Sequence, residues 1–112
     1  MNEKSTKQNS LLIVDDELVV RDSLSKWFNQ DGYRVDSAED AAHAIKKMSD
    51  GPWDIILLDI KMPGMSGLEL QKRLREIDPA ATIIMITAFA SVESAVQALK
   101  EGAFDYVTKP VD

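Results

Sequence analysis

Cysteine is absent from the 112 residues, which excludes both a disulfide framework and a thiolate metal site. Histidine occurs once, at His43, inside a segment patterned as a helix. General-base work needs an orienting neighbour, and the sequence offers His43 none, so it reads as surface or half-buried filler. No apolar run approaches the roughly 20 residues of a membrane helix, and the amino terminus lacks the apolar core of a signal peptide. Basic residues are in deficit: 13 Lys and Arg against 19 Asp and Glu give a net charge of -6. Such a chain repels a phosphate backbone and is a poor direct binder of nucleic acid. Repeats and low-complexity tracts are also missing. What these absences leave is a soluble domain, expected in the cytoplasm, with no membrane contact. At 112 residues and 45% hydrophobic, it is large enough for one core and too small for two.

The stretch that organises the chain is Ile55-Ile56-Leu57-Leu58-Asp59, followed by Ile60-Lys61-Met62-Pro63-Gly64-Met65-Ser66-Gly67. A short apolar run closed by Pro-Gly reads as a buried strand entering a turn. Asp59 then stands at the strand's carboxyl end, where open α/β sheets bind ligands. By itself it could merely cap the turn.

Residues 1–10 are polar and read as a tail ahead of a domain spanning 11–112. Leu11-Leu12-Ile13-Val14 reads as a strand buried on both faces and ends in Asp15-Asp16-Glu17. Val20, Leu24, Trp27 and Phe28 then form a helical stripe, stopped by Asp31-Gly32. Tyr33 to Asp36 alternates as an edge strand, and a weaker helix over 39–49 turns Ala41, Ala42, Ile45 and Met48 inward. Ser66 and Glu69 fit a capping box for a third helix with Leu70, Leu74 and Ile77 inward. Residues 82–86 form a strand ending in Thr87. Ser91 caps a fourth helix with Val92, Ala95, Val96 and Leu99 inward, and residues 104–108 form a fifth strand before Lys109-Pro110. The alternation predicts a doubly wound α/β fold, a five-stranded parallel sheet in the flavodoxin-like order 2-1-3-4-5.

In that order Asp15, Asp16 and Asp59 converge, with Thr87 and Lys109 at neighbouring strand ends. Three like charges in one cleft require compensation, and a hard divalent cation such as Mg²⁺ supplies it through oxygen ligands. Metal, ammonium and hydroxyl together suit a phosphoryl group in transfer. Each residue alone has a plainer reading, as a helix cap, a surface ion pair or a strand-end filler.

Four pieces in order, Ile13-Val14-Asp15-Asp16-Glu17, Leu58-Asp59-Ile60-Lys61-Met62-Pro63-Gly64, Ile86-Thr87-Ala88 and Tyr106-Val107-Thr108-Lys109-Pro110, resemble the receiver domain of bacterial two-component response regulators. Ala88 to Ser91 and Gly102 to Tyr106 are most similar to the nitrogen-regulator subfamily. There the receiver precedes a ring-forming ATPase and a DNA-binding domain. The resemblance implies that Asp59 is the phosphoacceptor for a partner sensor histidine kinase, in a regulatory domain rather than an enzyme. It implies that Asp16 and Asp59 hold Mg²⁺ directly, Asp15 through water, and the main-chain carbonyl of Lys61 as a further ligand. Lys109 would pair with phosphoryl oxygens, and in the family the bond between this Lys and Pro110 is usually cis. Thr87 would move inward on activation while Tyr106 swings from exposed to buried. Val92, Ala95 and Tyr106 then mark a partner surface that controls an output domain, in keeping with transcriptional regulation.

Receivers continue past Lys-Pro into a fifth helix, which this chain, ending at Asp112, is expected to lack. That leaves Ile55, Leu57, Ile84, Ile86 and Val107 as an open apolar face, and self-association, including a homodimer, as the expected consequence. Two alternatives stand beside the receiver reading. A Mg²⁺-dependent phosphatase with an aspartyl-phosphate intermediate expects two Asp separated by one residue after the first strand, whereas Asp15 and Asp16 are adjacent. A receiver-like binding module that is never phosphorylated would not need the intact Asp59, Thr87 and Lys109.

Overall fold

A computed structural model describes residues 8–88 and 92–109. Its elements run β1 (Ser10–Val14), α1 (Leu18–Gln30), β2 (Arg34–Ala38), α2 (Ala41–Lys47), β3 (Ile55–Asp59), α3 (Gly67–Ile77), β4 (Thr82–Thr87), α4 (Val92–Lys100) and β5 (Asp105–Thr108). A single 3-10 turn, Met48–Asp50, follows α2. All the strand pairs are parallel, in the order β2-β1-β3-β4-β5 that the alternation predicts.

Period-two alternation divides the apolar residues between two cores. Leu12, Val14, Ile56, Leu58, Ile83 and Met85 pack with Ala44 of α2, Leu70 and Leu74 of α3 and Ala98 of α4. Leu11, Ile13, Leu57 and Ile86 pack on the other side with Leu24, Val20 and Phe28 of α1. β1 and β3 at the centre are therefore apolar at consecutive positions, because both faces are covered.

β1 starts one residue ahead of the apolar run. The Ser10 amide and hydroxyl both donate to Asp54 Oδ2, at 2.8 and 3.2 Å, and the buried Ser10 belongs to the sheet rather than to the tail. Gly32, at φ +93°, provides the left-handed turn that ends α1. α2 begins at Ala41 because Asp40 caps it, accepting from the His43 amide at 2.8 Å. Ser66 caps α3 by accepting from the Glu69 amide at 3.3 Å. Ser91 as the cap of α4 and the Lys109–Pro110 bond lie outside the described residues.

Several predicted inward positions turn out otherwise. Trp27, Ile77, Val96 and Leu99 are exposed, and Gln71 and Ala98 are fully buried in their place. Trp27 stacks on Phe28 at the rim, and Ile77 occupies the last residue of α3. On α4 the small residues face the sheet. This lets α3 approach closely enough for the Gln71 side-chain amide to donate to the Ala98 carbonyl at 3.2 Å. Of the five residues expected on an open face, Leu57 and Ile86 are buried under α1, Ile55 and Ile84 are half-buried, and Val107 is exposed.

Candidate functional site

The carboxyl ends of the strands meet at one edge. Val14 pairs with Leu58, so Asp15 stands one step further along β1, beside Asp59 at the end of β3. The Asp15 amide donates to the Ala38 carbonyl at 3.1 Å, extending the ladder and fixing where its side chain starts. Asp59 pairs with Ile86, which brings the end of β4 and Thr87 alongside. Thr87 pairs with Thr108, and its carbonyl accepts from the Lys109 amide at 2.9 Å. Sheet register thus places Asp15, Asp59, Thr87 and Lys109 in one cleft.

Asp15, Asp59 and Thr87 are buried, and Asp16 is exposed at the mouth. Carboxylate oxygens of Asp15, Asp16 and Asp59 lie within 4.8 Å of one another. Lys109 Nζ sits 2.8 Å from Asp15 Oδ2, 2.9 Å from Glu17 Oε1 and 3.4 Å from Asp59 Oδ2. The Lys61 amide donates to Asp59 Oδ1 at 3.2 Å, so its main chain borders the cluster. Asp15 Oδ1 accepts from the Glu17 amide at 2.9 Å, and the Arg21 guanidinium donates to the Asp15 carbonyl at 2.7 Å. The resulting cavity, about 260 Å³, is lined by Asp16, Glu17, Asp59, Lys61, Thr87, Ala88 and Lys109.

Burial pushes the Asp59 carboxyl up to about 6, and the charge of Asp15 adds to the rise. Lys109 and the Lys61 amide offset part of it. Burial alone would lower the Lys109 pKa, but hydrogen bonds to Asp15 and Glu17 and the nearby carboxylates prevail and raise it. One ammonium against this many carboxylates leaves the cleft negative. Three oxygen-donor side chains, one of them open to solvent, fit a hard divalent cation.

Tyr106 lies on β5 with its side chain partly exposed, beside exposed Phe104 and Val107. Ala95 is buried and adds nothing to the exposed face, and the Val92 side chain lies outside what the structure describes. Among the described side chains, Val96 and Leu99 supply exposed apolar surface on α4. His43 does have a neighbour: its Nδ1 lies 2.7 Å from Asp40 Oδ1. That contact is exposed and belongs to the α2 cap. The hydrogen bond from the His43 amide, followed by the ring, holds the Asp40 carboxyl below its usual range.

Two residues of this site escape a reading by residue type. Glu17 contacts Lys109, and Gly67 lies against the backbone of Asp59, where a Cβ would come 2.1 Å from the Asp59 carbonyl oxygen. A faint signal exists for each. Glu is a poor helix N-cap, and a glycine opening a helix is unfavourable without a packing reason.

The profile of the response regulator receiver domain matches residues 11–112. Regulatory protein AtoC of Escherichia coli is 43% identical over 107 residues, which are 96% of this chain and 23% of that protein. The chain thus spans about a quarter of that relative's length. A response regulator of Burkholderia pseudomallei, solved with a phosphorylated aspartic acid, calcium ion and citrate, superposes with a TM-score of 0.88 at 32% identity, covering 94% of this chain and 62% of that one. TrrA of Thermotoga maritima in complex with Mg²⁺-BeF gives 0.82 at 36% identity, covering 94% and 90%. NtrX of Brucella abortus with ADP gives 0.88 at 30% identity, covering 95% and 24%.

Proposed function

Because the chain belongs to the response regulator receiver domain family, and within it is most like the nitrogen-regulator branch, we propose that Asp59 is its phosphoacceptor. The donor is a phosphohistidine on a sensor kinase. An Asp59 carboxylate oxygen forms a bond to phosphorus as the phosphorus–nitrogen bond breaks, and the imidazole nitrogen keeps the electron pair. The observation that carries this reading is the convergence of three carboxylates with the Lys109 ammonium at the carboxyl ends of β1, β3 and β5.

Asp59 must be ionised to attack, and Lys109 favours that form. Asp16 and Asp59 are the direct ligands for Mg²⁺, joined by the Lys61 main-chain carbonyl. Asp15 acts through water, which agrees with its two oxygens being already engaged by the Glu17 amide and Lys109. Bound there, Mg²⁺ would neutralise carboxylate charge and coordinate a phosphoryl oxygen. Lys109 supplies a second cation to the phosphoryl group, and Thr87 a hydroxyl donor from the adjacent strand end.

The modified site then biases the face formed by α4 and β5, with Thr87 and Tyr106 as the switch, and this face governs an output domain that regulates transcription. Among the described residues no helix is long and apolar enough to cross a membrane, which accords with a cytoplasmic setting.

Incubation with Mg²⁺ and a small acyl phosphate is expected to add one base-labile phosphoryl group, read by intact mass. Asp59→Asn is expected to remain unlabelled. Equal labelling of the two proteins would overturn the assignment.

A further inference from the structure

Glu17 is the N-cap of α1, yet its side chain makes no capping hydrogen bond. Ser, Thr, Asp or Asn would serve that position better. The Glu17 carboxylate instead reaches across the cleft to Lys109 Nζ at 2.9 Å, from a residue 92 positions away in the chain. Its main chain is held in place for this, because its own amide donates to Asp15 Oδ1. Glu17 lies outside the cluster of carboxylates whose ligand atoms approach one another, so its partner is the ammonium rather than a shared cation.

An ammonium has three donors. Lys109 Nζ donates to Glu17 Oε1 at 2.9 Å and, at a longer 3.4 Å, to Asp59 Oδ2, and it forms an ion pair with Asp15 Oδ2 at 2.8 Å. A phosphoryl group on Asp59 adds negative charge and acceptor oxygens, which draw Lys109 Nζ in from its 3.4 Å distance and away from one of its two closer partners. Releasing Asp15 would leave a buried carboxylate unpaired, which is costly. Releasing Glu17 costs little, because its side chain is 60% exposed and rehydrates.

We propose that Glu17 is a positioning residue that holds Lys109 back from Asp59 in the resting domain and gives it up when the phosphoryl group arrives. The inference rests on the phosphoacceptor reading of Asp59. Glu17 thereby weakens the modified state relative to the resting one, and its identity sets how readily this receiver is loaded.

Beryllofluoride with Mg²⁺ serves as the probe, titrated by calorimetry and by resonance shifts. Wild type is expected to bind it and Asp59→Asn is expected not to; loss of that contrast would defeat the underlying reading rather than this one. Glu17→Gln is expected to tighten binding about threefold, the scale of an exposed ion pair. Glu17→Ser, which restores a good N-cap, is expected to tighten it equally, so a helix defect cannot mimic the effect. In the Lys109→Gln background the Glu17→Gln change is expected to do nothing. In the unliganded Glu17→Gln protein, the Lys109 Cε–Hε resonance is expected to move toward its beryllofluoride-bound position. Wild-type affinity in both Glu17 variants, an unmoved Lys109 resonance, or the same tightening without Lys109 would each overturn the proposal. The last of these would mark simple charge repulsion.

Discussion

At Asp59 the two oxygens of one carboxylate meet different neighbours, the Lys61 amide on Oδ1 and the Lys109 ammonium on Oδ2. Neither cancels the effect of burial beside Asp15, so the folded chain holds a proton on Asp59 up to about 6, against 3.8 for an ordinary carboxyl. Between those values the folded state binds more protons than the unfolded one, and stability falls as pH rises through that window. In the presence of a chelator, Asp59→Asn should therefore exceed wild type in stability at pH 7.5, with the difference shrinking as pH falls through the window and much reduced at pH 4.5. Water reaching the cleft screens the effect, so about 1 kcal/mol is expected. Denaturant melts at the two pH values check this, and an equal difference at both would refute it. The acidic pair, Asp59, Thr87 and Lys109 were legible in the sequence because each terminates an apolar run, and parallel strands bring such ends together. Glu17 was not legible. Its partner is 92 residues away, and no periodicity links an N-cap to a loop beyond β5.

Among the elements, α3 shows how a helix start fixes a strand end. The Gly67 amide donates to the Ile60 carbonyl at 2.8 Å, and a Cβ on Gly67 would lie 2.1 Å from the Asp59 carbonyl oxygen and 2.7 Å from Ile60 Cα. Those are backbone atoms and cannot rotate away. Gly67→Ala should cost about 2 kcal/mol or more through overpacking, whereas Ser66→Ala, which removes only a cap, should cost about 1 kcal/mol. Urea titrations of the two variants give the comparison, and equal losses would show that the close approach is relieved without strain. Strand identities and order were readable because buried parallel strands are apolar at consecutive positions. The helices were less readable. Val96 and Leu99 fit an inward stripe as well as Ala95 and Ala98 do, and only the close approach of α3, marked by the Gln71 contact with the Ala98 carbonyl, selects the small residues. A stripe count also favours Ile77 over Gln71, because it scores polarity and cannot see a carbonyl waiting on the next helix.

For the molecule as a whole, the arrangement of anchors around α4 determines where a signal at Asp59 can travel. The carboxyl end of α4 is tied to α3: Gln71 donates to the Ala98 carbonyl and the Arg75 guanidinium to the Gly102 carbonyl at 2.6 Å. Gly102, at φ +109°, has no Cβ to obstruct that guanidinium. On the other side, Thr87 is joined to Lys109 through its own carbonyl, and its strand neighbour β5 carries Tyr106 and Val107. Exposed Val96, Leu99, Tyr106 and Val107 thus lie on elements next to Thr87, while the α3 contacts hold the far end of α4. A ligand shifts such an equilibrium only by binding its two states differently, and in the proposed reading Thr87 is the group through which the phosphoryl oxygens do so. On adding Mg²⁺ and beryllofluoride, amide resonances of residues 95–99 and 105–108 should move together with those of the cleft, while α2 stays still. In Thr87→Ala, binding at Asp59 should persist within about threefold, the scale of one hydrogen-bond donor, and the distant shifts should shrink. Full-amplitude shifts at Leu99 and Tyr106 in Thr87→Ala would mean that the coupling runs through another route, with Lys109 and the β5 backbone the next candidates.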